Sequence, residues 1–530
     1  MNNNHESLSF SMPNIALDQQ LFEAKRGSQW MEMNQKTVAD SIGHVMDVFG
    51  LDAPWEDIAE SPVKKAAANA LWSCTLACFG PTLSHADLSD LNAKVTGIAE
   101  DGIEYKFTSN HMSVPVKLHS VDSMGHKTNE YAMVHYMPAF ASGLPGFPSI
   151  GDVSPIALEQ GENGYVLSMK TPSGHVWQKS LEVIPFKEYV QKSLKNKSTL
   201  FTDVVFPCVS NFQVLNVRPT CEEGCLMCTV EKGDGQISSE HKENVGKAFD
   251  VLIDEAMKSG KAFQLSISGG SLKGGDAGFE SGHGWALSIL KEKLDEKGFH
   301  HPVQLQLEVI LPSDPDSWPG IIDTIFPYVK HDGWQVSLAI NIEAVQETWK
   351  SVFLPGANKS VTSVDDHVSF AHQLAKKTDG KVQINSLVLF GMKPVGLSDT
   401  QYLTADLQAL QKLVDAGIKP NFQPVKIENS TKLKAHPVPN PIELLMQDVA
   451  LKVMIKKAGL TASPGCVGGC NACDQTHETQ GLLMALGKAG ILPGDFVYPL
   501  AHTVSPEYAD ALISVLNPPI SEKGVVYEAK

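Results

Sequence analysis

The sequence predicts an α/β protein, a partial (β/α)6 TIM-type barrel with an N-terminal α+β domain before it and a cysteine-bearing C-terminal extension after it. Three observations carry that reading. After about residue 205, apolar β-branched runs alternate with amphipathic helical runs six times in succession, and that order spells a parallel sheet with right-handed crossovers. Before it, short alternating strands follow two helical runs. The 530-residue length exceeds one ordinary domain and leaves room for roughly two to four folding units.

Residues 1–35 are polar, lack sustained periodicity and read as a loosely ordered leader. The α+β domain spans 36–200, where VADSIGHVMDVF and KKAAANALWSCTLACF have helical apolar spacing. Cys74 and Cys78 lie four apart on the second helix, so they share one face and read as buried core cysteines. AKVTGIAEDGIEYKF and YVLSMKTPSGHVWQKSLEVI then alternate as strands, with EDG and PSG as hairpin turns. The Pro/Gly-rich stretch 137–152 reads as a long loop.

The barrel is expected over 205–445. Its strand candidates are FQVLNVR, AFQLSIS, VQLQLEVIL, WQVSLAIN, VQINSLVLF and IKPNFQPV. Each is followed by a helical run, from ENVGKAFDVLIDEAMK to PIELLMQDVALKVMIKKA. Chemistry in such folds gathers at the C-terminal ends of the strands, where the βα loops converge. Residues 446–530 form the extension.

Composition narrows the function classes. With 42% apolar and 19% charged residues, the chain is neither collagen-like nor wholly disordered. Its 60 acidic and 43 basic side chains give a net charge of −17, which disfavours nonspecific contact with nucleic acid. The densest basic run, Lys187 to Lys197, reads as a solvated helix face. No secretory signal opens the sequence and no eighteen-residue apolar run crosses it, so a cytoplasmic protein without a membrane span is expected. P-loop, G-x-S-x-G and H-E-x-x-H motifs are absent.

Nine cysteines, an odd number in a long chain, argue against a disulfide framework. Six of them repeat one spacing: Cys221, Cys225 and Cys228 in TCEEGCLMC, and Cys466, Cys470 and Cys473 in GCVGGCNAC. Three thiolates on so short a glycine-containing loop can curl around one soft metal centre. A cubane needs four ligands, so three cysteines leave one iron open to a small molecule. Structural zinc is the alternative, although C-x3-C-x2-C fits the usual zinc spacings poorly. The first triad falls directly after the first strand.

That placement, with CEEGCLMC heading a six-fold βα repeat, resembles the radical S-adenosylmethionine superfamily and its biotin-synthase-like barrels over residues 205–445. The resemblance implies a [4Fe-4S] cluster on Cys221, Cys225 and Cys228, with S-adenosylmethionine chelating the open iron. One electron, from an external donor such as flavodoxin or ferredoxin, would cleave the sulfonium. The 5′-deoxyadenosyl radical so released would abstract hydrogen from a small-molecule or peptide substrate. Met227 stands where the family commonly has an aromatic residue, and Ser271 where an acidic one is frequent.

Further positions match in order. Gly269 and Gly270 end the second strand, like the family's glycine pair that hydrogen-bonds the methionine moiety. Asn341 and Glu343 end the fourth, like an Asn-x-Glu whose carboxylate lies near S-adenosylmethionine; a solvated helix start is the other reading of Glu343. Gly391 resembles the strand-five glycine near the adenine, and Pro424 the strand-six proline. The second triad implies a second, auxiliary iron–sulfur cluster in a cluster-binding extension, with structural zinc as its alternative. A non-catalytic metal-binding or electron-carrier protein with two structural cysteine sites is the competing function. His283 closes the glycine-rich stretch 273–284, expected as a flexible connection at the strand ends.

Overall fold

The computed structural model describes residues 40–79, strand segments between 82 and 161, 164–184, 205–207, 213–218, 220–226, 233–270, 275–346, 350–351, 353–356, 358–393, 397–425, 439–460 and 478–516. Cys228 and the second triad, Cys466, Cys470 and Cys473, lie outside them, as do the leader and the Lys187–Lys197 run.

The N-terminal region sets helical residues 40–48 and helix α1 (Pro62–Phe79) beside a nine-stranded mixed sheet. The PSG turn joins Gly164–Lys170 to Val176–Ile184 as an antiparallel hairpin. Asp52, in the turn after 40–48, accepts from the Thr171 hydroxyl at 2.5 Å and the Ser173 hydroxyl at 2.6 Å. Those two bonds hold its carboxyl below the usual carboxylate range. The buried Trp177 indole donates to the Ala53 carbonyl at 3.0 Å, so the hairpin is pinned to the helices by a large apolar body with one polar handle. Cys74 and Cys78 are both buried on α1, and burial pushes the Cys78 thiol up. Within the 137–152 stretch expected as loop, two-residue strands form at Met137–Pro138 and Phe140–Ala141.

The second sheet carries six parallel strands in sequence order: β1 (Gln213–Asn216), β2 (Phe263–Ser268), β3 (Val303–Val309), β4 (Trp334–Ile340), β5 (Gln383–Phe390) and β6 (Ile418–Pro424). Val205–Pro207 pairs antiparallel on the outer side of β1, and β1 does not pair with β6, so the sheet is open. The crossovers run through α2 (Ser239–Ser259), α3 (Trp285–Glu296), α4 (Trp318–Val329), α5 (Val364–Thr378) and α6 (Asp399–Asp415). Their starts are set locally: Ser238 caps α2, while Ser363 with Asp366 and Ser398 with Gln401 form capping boxes on α5 and α6.

Because side chains alternate along a strand, the sheet has two unlike faces. One is apolar: Leu265, Ile267, Leu305, Leu307 and Leu338 are fully buried in the core that the helices complete. The other is polar and mutually bonded. Gln264 donates to Gln304 at 2.6 Å and Gln304 to Gln335 at 3.1 Å. Ser266 and Ser268 donate to Glu308 at 3.0 and 2.7 Å, and Asn385 to Gln306 at 3.2 Å. The buried Ser266, Gln306 and Asn385 side chains persist here because each bonds to a neighbouring strand.

The stretch 273–284 departs from expectation. Its described part is a helical turn, Gly275–Phe279, running into a π-helical turn, Glu280–Gly284, that leads straight into α3. Small residues permit this, since a β-carbon on Gly282 would stand 2.7 Å from the Arg218 guanidinium carbon and one on Gly284 2.9 Å from Thr324.

After β6 come α7 (Pro441–Lys457), α8 (Glu478–Ala489), α9 (Pro493–Val504) and α10 (Pro506–Leu516). Helix α7 is buried almost all round, because α1, α6, α8 and α10 pack against it. Helix α1 also packs on α8, and Phe49 stacks on Phe496 with ring centroids 4.1 Å apart. Among the described residues, no helix is long and apolar enough to cross a membrane.

Candidate active site at the C-terminal ends of the parallel strands

The loop after β1 holds the first cysteines. Gly224 takes φ +63° and turns the chain between half-buried Cys221 and buried Cys225. The turn is clamped by Glu223, a buried carboxylate that accepts from the Asn358 side chain at 2.8 Å and from the backbone N–H groups of Asn358 and Lys359 at 3.3 Å each. A β-carbon on Gly356 would fall 2.5 Å from the Glu223 Cα, so that position admits only glycine against the loop. Leu226 N–H donates to the Phe353 carbonyl at 2.9 Å. The cysteine loop is thereby locked onto the segment that follows β4.

This docking brings distant residues together. Cys225 packs in one apolar cluster with Ala344, which follows β4, Met392, which follows β5, and Val425, which follows β6; Phe353 and Leu354 complete it. The neighbours of these three are the positions expected from sequence, Glu343, Gly391 and Pro424. Glu343 has φ +57°, is bridged to Val388, and ion-pairs through Oε1 with the buried Lys359 ammonium. Its Oε2 is buried without a hydrogen-bond partner. Glu343 is thus no solvated helix start. Asn341 accepts from Leu387 N–H at 3.1 Å and stitches β4 to β5. Pro424 pairs with Phe390 at the end of β6.

Gly391 sits at φ +89°, and a β-carbon there would stand 2.6 Å from the Pro439 Cβ. Its N–H donates to the Tyr402 hydroxyl at 2.9 Å. The Tyr402 side chain lies beside Asp406, one turn further along α6. Burial lifts the Asp406 carboxyl to about 7 against the lowering effect of Gln346, which donates to it, and of Tyr402. Burial likewise pushes the Tyr402 phenol up.

Gly269 and Gly270 lie across the rim, against the start of the cysteine loop. A β-carbon on Gly269 would stand 2.9 Å from the Arg218 backbone nitrogen, and one on Gly270 2.8 Å from the Cys221 Cα. Their smallness lets two backbones touch. Arg218, buried just before the motif, donates to the carbonyls of Gly270 at 3.2 Å and of Gly278, while its Nε–H is buried without a partner. Burial pulls the guanidinium down to about 10, and Cys221 opposes that pull. His283, expected on a flexible connection, is instead buried, stacked on Phe279 at 4.9 Å and bonded through Nε2 to the Glu308 carbonyl at 2.9 Å. Burial, aided by Arg218, pulls its pKa down to about 3 and keeps it neutral. A cavity of about 30 Å³ between Arg218, Phe279, His283 and Asn358 has room for little more than water.

Sequence reasoning passed over Glu223, Lys359, Arg218, Tyr402 and Asp406. Glu223 stood inside the quoted motif, and Arg218 three residues before it, but nothing marked them as loop clamps. Lys359, Tyr402 and Asp406 carry no motif at all.

Two described cysteines of the first triad, one half-buried and one under an apolar lid, fit the shell of an iron–sulfur cluster, which thiolates hold and which a dry surround tunes. Among the described residues, no group of three or more His, Cys, Asp or Glu side chains is gathered for a metal ion.

Among solved structures, one likeness is loose. The fold aligns with the crystal structure of a radical SAM methyltransferase from Sphaerobacter thermophilus at 12% identity and a TM-score of 0.30, covering 61% of this chain and 81% of that one. So low a score carries no argument, and the functional reading rests on the residues themselves. No family model matches the sequence. No curated protein matches it.

Proposed function

We propose that the chain is a radical S-adenosylmethionine enzyme whose partial (β/α)6 barrel binds a [4Fe-4S] cluster through Cys221, Cys225 and Cys228. The observation that carries this reading is the convergence of Cys225 with the residues after β4, β5 and β6 in one apolar cluster, whose Ala344 follows Glu343, a carboxylate with one oxygen left without a donor. A [4Fe-4S] cluster held by Cys221, Cys225 and Cys228 would supply one-electron reductive cleavage of S-adenosylmethionine. The protein's own residues do the positioning. Glu223 fixes the cysteine loop, and Ala344, Met392 and Val425 keep water from Cys225. Glu343 offers Oε2 to a hydroxyl or ammonium donor of the ligand while Lys359 neutralises its other oxygen. Gly269, Gly270 and Gly391 let backbone come close where a side chain would intrude. The second triad is read as the ligands of an auxiliary iron–sulfur cluster, and the substrate as a small molecule or peptide.

Anaerobic reconstitution tests this. Two cubanes predict on the order of eight iron per chain, and dithionite with S-adenosylmethionine should yield 5′-deoxyadenosine. Cys225→Ala should abolish that product, whereas Cys470→Ala should retain part of it. Stoichiometric zinc with no cleavage would sink the reading.

A further inference from the structure

Two loops expected to meet the nucleoside end of S-adenosylmethionine, the one after β4 and the turn after β5, share a single buried anchor on α6. Tyr402 and Asp406 are four residues apart on that helix, on one face, and both are buried. The Tyr402 hydroxyl accepts from Gly391 N–H at 2.9 Å, and the ring lies beside the Asp406 carboxyl. Gln346, three residues past Glu343, donates through one amide nitrogen to Asp406 Oδ1 at 2.9 Å and to the Tyr402 carbonyl at 3.0 Å. The anchor thus grips the Glu343 loop and the Gly391 turn at once.

The grip matters because neither loop holds its conformation from its own chemistry. Gly391 occupies a left-handed conformation pressed on Pro439, and Glu343 occupies one that a residue with a β-carbon rarely adopts. Such backbones persist only where their surroundings over-determine them. The Tyr402 bond to Gly391 and the Gln346 bonds to α6 are surroundings of that kind. We propose that Tyr402, Asp406 and Gln346 form a positioning network that presets the Glu343 and Gly391 backbones for the nucleoside of S-adenosylmethionine. This rests on the function proposed above, and it assigns the network to ligand affinity, not to cluster assembly.

The test is S-adenosylmethionine binding by the full chain, reconstituted anaerobically and followed by isothermal titration calorimetry, with iron content and thermal midpoint recorded for each variant. Tyr402→Phe keeps the ring and removes the hydroxyl; Asp406→Ala and Gln346→Ala remove the other two partners. Each should weaken binding roughly tenfold, the scale of one lost hydrogen bond, at unchanged iron content. Asp406→Asn keeps the one oxygen that accepts from Gln346 and should restore affinity to within about threefold of the parent, a rescue that general loosening of α6 would not produce. Parent-like affinity in both Tyr402→Phe and Gln346→Ala would overturn the proposal. So would loss of iron in step with affinity. Should Tyr402→Phe fail to fold, Gln346→Ala decides alone, because Gln346 lies on a half-buried loop. Failure of the parent itself to bind S-adenosylmethionine would instead remove the function proposed above, and this inference with it.

Discussion

Around the ends of β1 to β3, the rim is held by backbones in contact, by a buried guanidinium and by a histidine kept neutral. Around the ends of β4 to β6, it is held by side-chain acids and leaves a carboxylate oxygen open. In the first half, Gly269 and Gly270 press on the cysteine loop, Arg218 spans two carbonyls, and His283 is neutral. What stays unsatisfied there is one donor, the Arg218 Nε–H, and one acceptor, His283 Nδ1. In the second half, Glu343 Oε2 is an unsatisfied acceptor, and Asp406 is lifted to about 7. A buried acceptor without a donor is costly, and under the function proposed above Glu343 Oε2 is the one offered to a hydroxyl or ammonium group of the ligand. The first half holds the cysteine loop against β2.

The contrast breaks most severely at Gly270. A β-carbon there would overlap the Thr220 carbonyl and crowd the Cys221 Cα, and both obstacles are backbone. Gly270→Ala must push the cysteine loop off β2, and should cost on the order of 4 kcal/mol or more. Chemical denaturation measures the loss, and parent-like stability would show that the two backbones do not touch.

A smaller loss is expected in the other half at Gly391. Ala at φ +89° is strained, and its β-carbon meets the Pro439 ring, which can shift where a backbone cannot. Gly391→Ala should cost about 3 kcal/mol. The same denaturation series should also give a lower S-adenosylmethionine affinity for this variant than for the parent. Unchanged stability would mean that the turn after β5 adapts freely, and would remove the case for an anchored second half.

Most of the strand and helix order could be read in advance, because a buried parallel strand and an amphipathic helix announce themselves within a few residues. AFQLSIS and VQLQLEVIL show the two-residue alternation that separates the apolar from the polar face. Gly391 was legible as a strand-end glycine, although its contact with Pro439 was not. The rim networks escaped notice because they join residues far apart in sequence: Glu223 reaches Asn358, and Gly391 reaches Tyr402. No local pattern records such pairs. His283 escaped for another reason, since glycines at 275, 278, 282 and 284 read as a loop. Here they serve a π-helical turn that closes over Arg218 and Thr324.

The smallest expected effect separates the two halves by titration. Asp406 titrates near 7 in the folded chain and near 3.8 when free. Between those values the folded state holds more protons than the unfolded chain, so this group's stabilisation is lost as pH rises. His283 runs the other way: its pKa falls from 6.5 to about 3 on folding, so the unfolded chain binds the proton first and stability is lost as pH falls below 6.5. From pH 5 to 6.5 the two slopes oppose, each worth roughly 1 to 2 kcal/mol over that span. The groups that share these sites are Arg218 beside His283, and Tyr402, Tyr508 and Gln346 beside Asp406. None of the four titrates in this range: Arg218 stays a cation, the Tyr402 and Tyr508 phenols are pushed up, and Gln346 is uncharged. Asp406→Asn should therefore gain stability relative to the parent on going from pH 5 to 6.5, and His283→Gln should lose it. Denaturant midpoints at the two pH values measure both, and slopes of the same sign in the two variants would mean that the halves of the rim are not electrostatic opposites.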